Sequence, residues 1–248
     1  KKFTDLNGVY ANGIHSGIKE SDKDLVFILV PDAKGSAGVF TRNKFAAPSV
    51  QHTKTCLSKG VLNAVIINSG NANTGNGEVG KQNNAFIAET AADLLGIVSD
   101  KVAVASTGVI GKLLEMPVIE AGLKELLKDT EKKEGQAAAD GIMTTDTFPK
   151  DVYVESSINN KEIVVAGISK GSGMIAPNMA TTLTFLVTNT KIGSELLQRK
   201  LSSAVDETFN MLSVDTDTST SDMVLIFSTG RSEEHTSELQ SPCNLVCR

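Results

Sequence analysis

Two hydrophobic periods alternate along this chain, and that alternation limits what it can fold into. Short apolar runs, many of them β-branched and bounded by turn residues, fall at 25–30, 37–40, 61–67, 102–105, 152–156, 163–168, 183–188 and 223–228, and read as strands. Between some of them lie amphipathic stretches of helical period, at 79–95, 117–127, 132–143 and 194–212. The pair Asn159-Asn160 separates two strands by the length of a tight turn and predicts a hairpin. Strands that meet sometimes directly and sometimes through a helix call for a layered α/β or α+β architecture rather than a strictly parallel sheet. No internal repeat or long linker interrupts the pattern.

Composition removes several classes of function. A chain of 248 residues that is 40% apolar can bury a sizeable core in one large or two small domains. A net charge of -5 without any basic run argues against nucleic acid and anionic membrane as partners. No apolar stretch is long enough to span a bilayer and the first residues lack an apolar signal core, so the expected setting is cytoplasmic. Cys56 stands alone in the first 230 residues, which excludes a disulfide framework there. The spacing Cys243-x-x-x-Cys247, with His235 nearby, could be read as metal ligands but lacks a second ligand pair, so no metal is expected.

The last eighteen residues, from Arg231, differ from the rest. They carry two of the three cysteines and one of the three histidines with no apolar period, and their start resembles the translation of a widely used sequencing-library adaptor. Residues 231–248 are therefore read as a non-native tail, and the native sequence as continuing past Gly230.

Three segments could carry chemistry. Gly75, Gly77 and Gly80 form a G-x-G-x-x-G between a strand and a helix, the spacing of a dinucleotide loop. Seven residues separate Ile67 from Gly75, however, and Asp100 precedes its strand instead of closing it, which favours a plain glycine-rich connection. Histidine is scarce: His15 and His52 lie outside any motif, so a Ser-His-Asp site has no evident base. A chain-terminal Thr needs none, because its own α-amine, with a reference pKa of about 7.7 to 8.0, accepts the hydroxyl proton. In Lys170-Gly-Ser-Gly-Met-Ile-Ala-Pro-Asn-Met-Ala-Thr-Thr-Leu-Thr-Phe185, two glycines and Pro177 shape an irregular loop from which Thr181 opens a β-branched strand.

This loop does not stand alone. With Val65-Ile-Ile-Asn-Ser-Gly-Asn-Ala-Asn73, Ala105-Ser-Thr-Gly-Val-Ile-Gly111, Met143-Thr-Thr-Asp-Thr-Phe-Pro149 and Val214-Asp-Thr-Asp-Thr-Ser-Thr220, in that family's order from residue 8 to residue 230, it closely resembles the bifunctional ornithine acetyltransferase family of arginine biosynthesis. The resemblance implies a self-cleaving, N-terminal-nucleophile-like α-β-β-α fold. It implies a precursor cut between Ala180 and Thr181, with residues 1–180 as the α-subunit region and 181–230 as the start of an incomplete β-subunit region. It makes Thr181 the nucleophile that takes acetyl from N-acetylornithine and passes it to glutamate, Thr107 and Gly108 the oxyanion hole, and Thr144, Lys170 and Thr181 substrate contacts. Lys170 is then a carboxylate anchor or a charge that keeps the Thr181 amine neutral, unless it is a solvated loop charge. On the motif, Gly108→Ala should disturb only the oxyanion donors. The implied assembly is two α and two β chains, without cofactor or metal, and acetyl-CoA is a further acetyl source that some members use.

Departures from the pattern are Thr216 and Ser221, where the family usually has Gly and Asn, and a Glu, an Asn and a Thr substrate contact expected beyond Gly230. A chain ending there should lack part of its pocket. Two other readings stay open: an aminopeptidase or amidohydrolase of the same self-cleaving fold, and a non-enzymatic α/β domain using the Gly75 to Gly80 loop for a nucleotide.

Overall fold

The structure, a computed structural model, describes residues 1–175, 182–215 and 217–231. Two sheets carry it. The first has the order β1-β2-β4-β5, from Tyr10–Ile14, Leu25–Leu29, Ala64–Asn71 and Val102–Val109; the second has the order β3-β9-β8-β7-β6, from Gly35–Phe40, Met223–Ser228, Leu183–Thr188, Lys161–Lys170 and Lys150–Ile158. Side-chain alternation explains why two sheets stack and each also holds helices. Val26, Ile28, Val65 and Ile67 of the first sheet meet Ala166, Ile168, Phe185, Leu225 and Phe227 of the second in one core. The intervening residues Leu25, Phe27 and Ile66 face away, onto helices α2 (Gly77–Leu95) and α3 (Met116–Leu126). On the far side, Val224 and Ile226 pack on α5 (Ser194–Glu207). The layering is α-β-β-α, as expected from the sequence, with α1 (Pro48–Lys59) and α4 (Gly135–Ile142) completing the inter-sheet core.

The Asn159-Asn160 hairpin is present between β6 and β7, both residues in the left-handed region at φ 52° and 63° that a type I′ turn requires. Two elements lack the periodicity expected of them. Helix α1 buries Ser49, Val50, Thr53 and Cys56, a face half polar, and Thr53 donates its hydroxyl to the Val104 carbonyl at 3.0 Å. Strand β1 contains Asn12 and Gly13, poor strand formers, yet a side chain at Gly13 would stand 2.2 Å from the Ala137 carbonyl oxygen, so α4 packs there only on glycine.

The strand expected at 102–105 runs on to Val109, in parallel register with β4 (Ser69 opposite Thr107, Gly70 opposite Gly108). Thr107 and Gly108 therefore lie within the strand and not in a turn after it. The expected helix at 194–212 ends at Glu207, followed by a short 3-10 turn at Phe209–Met211. Arg231 pairs with Asp32 at 2.8 Å on the surface, while Ala180, Thr181, Thr216, His235, Cys243 and Cys247 lie outside the described residues. Among the described residues no helix is long and apolar enough to cross a membrane.

Candidate active site

At the C-terminal ends of β4, β5 and β7 the two sheets part around a cavity of about 530 Å³. Its wall takes Gly70, Thr107, Gly108, Thr144, Lys170 and Thr220, among others, from all five segments that carry the family resemblance; Lys19 and Ser221 are the lining residues that come from elsewhere. Segments up to 150 residues apart thus converge because each ends or begins a strand at the same edge of the sandwich.

Lys170 closes β7 and is only 3% exposed, which overturns the reading of it as a solvated loop charge. Its ammonium donates to the Thr144 hydroxyl at 3.2 Å. Burial pushes that ammonium down to about 8, with Asp146 and Asp222 opposing the fall and Lys19 and Lys150 adding to it. Asp146 organises the rim: it accepts the Gly171 N–H at 2.9 Å and the Thr144 N–H at 3.3 Å, and pairs with Lys150. Burial would raise its carboxyl, but the Lys150 ammonium and these N–H groups hold it below the usual carboxylate range. Across the cavity Asp215 accepts the N–H groups of Met174 and Ile175 at 2.6 and 2.8 Å, fixing the described part of the glycine loop to the segment ahead of β9.

Gly108 sits at φ 127°, and a Cβ built on it would lie 2.3 Å from the Gly70 carbonyl carbon and 2.6 Å from the Asn71 nitrogen. The expectation that Gly108→Ala would touch only the oxyanion donors is therefore corrected: the methyl group has no room between β4 and β5.

Asp222 was missed in the sequence, although it lies two positions after a recognised segment. It is 1% exposed, its Oδ1 accepts the Thr182 N–H at 3.1 Å, and its Oδ2 has no hydrogen-bond partner among the described residues. Burial pushes its carboxyl up to about 7, against the pull of the Ser219 hydroxyl, the Thr182 N–H and Lys170. Below about pH 4 folded and unfolded chains both hold this proton. As pH rises from there to 7 the unfolded chain releases it first, so stability should fall across that window and level off above it. Asp222→Asn removes the titration, so the stability of the variant relative to the parent should grow from pH 4 to pH 7 in denaturant unfolding. A difference that stays flat over those three pH units would show that Asp222 is not linked to folding.

The two described histidines, His15 and His52, stand apart from the cavity. His15 contacts the Asp22 carbonyl and His52 the Val102 carbonyl, each at 2.9 Å. The Cys56 thiol is buried and pushed up to about 11 by that burial, so it is not a nucleophile at neutral pH. At the glycine-rich loop, Asn73 donates to the Gly80 carbonyl at 2.7 Å, and a Cβ on Gly80 would meet the Asn73 Oδ1 at 2.9 Å. Gly80 makes room for the protein's own Asn73 and Asn76 side chains, which does not favour the nucleotide reading. Among the described residues no cluster of His, Cys, Asp and Glu could hold a metal ion.

Two face-to-face sheets between helical layers, opening at one edge into a cavity of hydroxyls and ammonium groups, define an α/β protein of the N-terminal-nucleophile type. The ArgJ family model matches residues 10–248, and the chain belongs to that family. It is 42% identical over 232 residues to the arginine biosynthesis bifunctional protein ArgJ of Bartonella henselae, a match covering 93% of this chain and 57% of that protein. The chain thus spans somewhat over half the length of the curated relatives it matches. Among solved structures it is similar to ArgJ of Bacillus halodurans, with TM-score 0.67 and 39% identity over 73% of this chain and 95% of that one. It is also similar to the ornithine acetyltransferase of Mycobacterium tuberculosis complexed with ornithine, with TM-score 0.63 and 34% identity over 72% and 95%.

Proposed function

We propose that the whole protein moves an acetyl group from N-acetylornithine to glutamate in arginine biosynthesis, through an acetyl ester on Thr181 that self-cleavage between Ala180 and Thr181 makes available. The observation that carries this reading is the convergence of all five family segments on one cavity, with Thr107 and Gly108 on one wall and Thr144 hydrogen-bonded to Lys170 on another. Lys170 is the register partner of Leu183, the first residue of β8, and the assigned nucleophile precedes that strand end by two residues in sequence. The chemistry runs in two acyl transfers. The Thr181 hydroxyl attacks the acetyl carbonyl, its proton passing to the α-amine and on to the departing ornithine amine; glutamate's amine then attacks the ester, and the hydroxyl is regenerated. Thr107 and Gly108 are suited to receive the negative charge that forms on the carbonyl oxygen in each transfer, an interaction whose loss typically costs about 100- to 1000-fold.

Both solved relatives have 95% of their chain matched by under three quarters of this one, so each is about as long as the stretch of this chain ahead of Thr181, which supports a cut there. Strand β8 lies between β7 and β9, and β9 pairs with the early strand β3, so the two pieces would share one sheet and stay together after cleavage. An assembly of two such pairs, use of acetyl-CoA as a second donor, and a cytoplasmic setting belong to the same reading; the free, buried Cys56 is in keeping with the last. On a denaturing gel the whole protein should run as two pieces, the new N-terminus reading Thr181-Thr182-Leu183 on sequencing. A chain that stays uncut, or is cut elsewhere, ends the proposal.

A further inference from the structure

Lys19 lies outside every segment that carries the family resemblance and far from them in sequence, yet it lines the cavity. Its place is fixed by unusual means. Asp24 is fully buried and accepts the N–H groups of Ser16, Gly17, Ile18 and Lys19 at 2.7, 3.2, 2.8 and 3.0 Å, and the Ser16 hydroxyl at 2.7 Å. Four successive N–H groups held by one carboxylate leave the backbone at Lys19 little freedom. The side-chain stem then runs over Gly70, where a Cβ would stand 2.8 Å from the Lys19 Cγ. The ammonium donates to the carbonyls of Lys23 at 2.8 Å and Met143 at 2.7 Å. An ammonium has three donors, so one is left for the cavity. Burial lowers its pKa, and Asp24, Asp22 and Asp146 oppose that fall.

The lining of the cavity among the described residues holds two ammonium groups, Lys19 and Lys170, and no carboxylate. Asp146 and Asp222 sit behind Lys170 and outside the lining. One carboxylate entering this space would answer one cation and leave the other facing a partly desolvated cavity; two carboxylates on one small molecule answer both. Of the two proposed substrates, only glutamate carries two.

We propose that Lys19 is a specificity-determining residue which, with Lys170, recognises a dicarboxylate, one ammonium for each carboxylate, so that the acceptor glutamate is chosen over monocarboxylic amino acids. This rests on the acetyl-transfer reading for the identity of the ligand, though not for its charge. In the whole protein, Lys19→Gln should raise KM for glutamate by about 10- to 100-fold, the range for one charge-assisted hydrogen bond, and at least ten-fold more than it raises KM for N-acetylornithine. Lys19→Arg, which keeps the charge, should recover most of that loss. Equal increases in both KM values, or a loss that Lys19→Arg does not recover, would make Lys19 a loop fastener and overturn the proposal. Calorimetric titration of the parent protein with glutarate and with butyrate needs no variant: glutarate should bind at least ten-fold tighter, and equal binding of the two also overturns it. If the parent protein transfers no acetyl group but still prefers glutarate, the reading of the reaction falls and the assignment of Lys19 stands.

Discussion

Thr181→Ala in the whole protein should leave the chain uncut and lower acetyl transfer by about 10,000-fold or more, the scale on which covalent catalysis disappears when its nucleophile is removed. Two features favour so large an effect. Neither histidine among the described residues reaches the cavity, so no imidazole there is placed to activate another hydroxyl as a nucleophile. The buried Cys56 thiol is held protonated. A self-activating Thr also makes cleavage and transfer depend on one residue, because the α-amine that serves as base does not exist before the cut. Thr181→Ser keeps the hydroxyl and should retain measurable cleavage, whereas wild-type transfer by Thr181→Ala would mean that another group carries the acetyl.

Gly108→Ala should fail in a different way, by unfolding. Strand β4 pairs in parallel with the edge strand β5 in the first sheet, and Gly108 faces Gly70 across that pair with less room than any side chain needs, at 2.3 Å from the carbonyl carbon. Its φ of 127° adds backbone strain for any residue with a Cβ. Relief requires moving two packed strands apart, so a loss of about 3 to 5 kcal/mol is expected, at the high end for single substitutions. For a chain of this size that corresponds to a fall in melting temperature of roughly 10 °C. Thermal unfolding decides it. A variant that melts within two or three degrees of the parent and only turns over slowly would restore the view of Gly108 as a donor whose space can be filled.

These two positions show how differently the sequence exposes its content. Thr181 could be assigned because a motif has an order that can be read in a line. That Gly108 tolerates no methyl group could not, since the obstacle is Gly70, thirty-eight residues earlier in the chain and opposite it only after two strands pair in parallel. Lys19 carries no local signal for the same reason: nothing around it is periodic, and its role depends on Asp24 drawing four N–H groups together. Asp222 lies two positions past a recognised segment, but its raised pKa comes from burial and not from its neighbours in sequence.

By itself the sequence determined the layer architecture, since side chains that alternate between two buried faces require a partner on each side, and β2 and β9 keep both faces buried without interruption. It also determined the hairpin at Asn159-Asn160, because the backbone preference is local. Helix α1 and strand β1 were decided only by tertiary structure: a polar face is acceptable in α1 because Thr53 finds the Val104 carbonyl, and Asn12-Gly13 is acceptable in β1 because α4 needs the space a side chain would fill. The cavity belongs to that second group. Its charge balance among the described residues, two ammonium groups inside and the carboxylates behind them, is a property of which strand ends meet, and no stretch of the chain holds it alone.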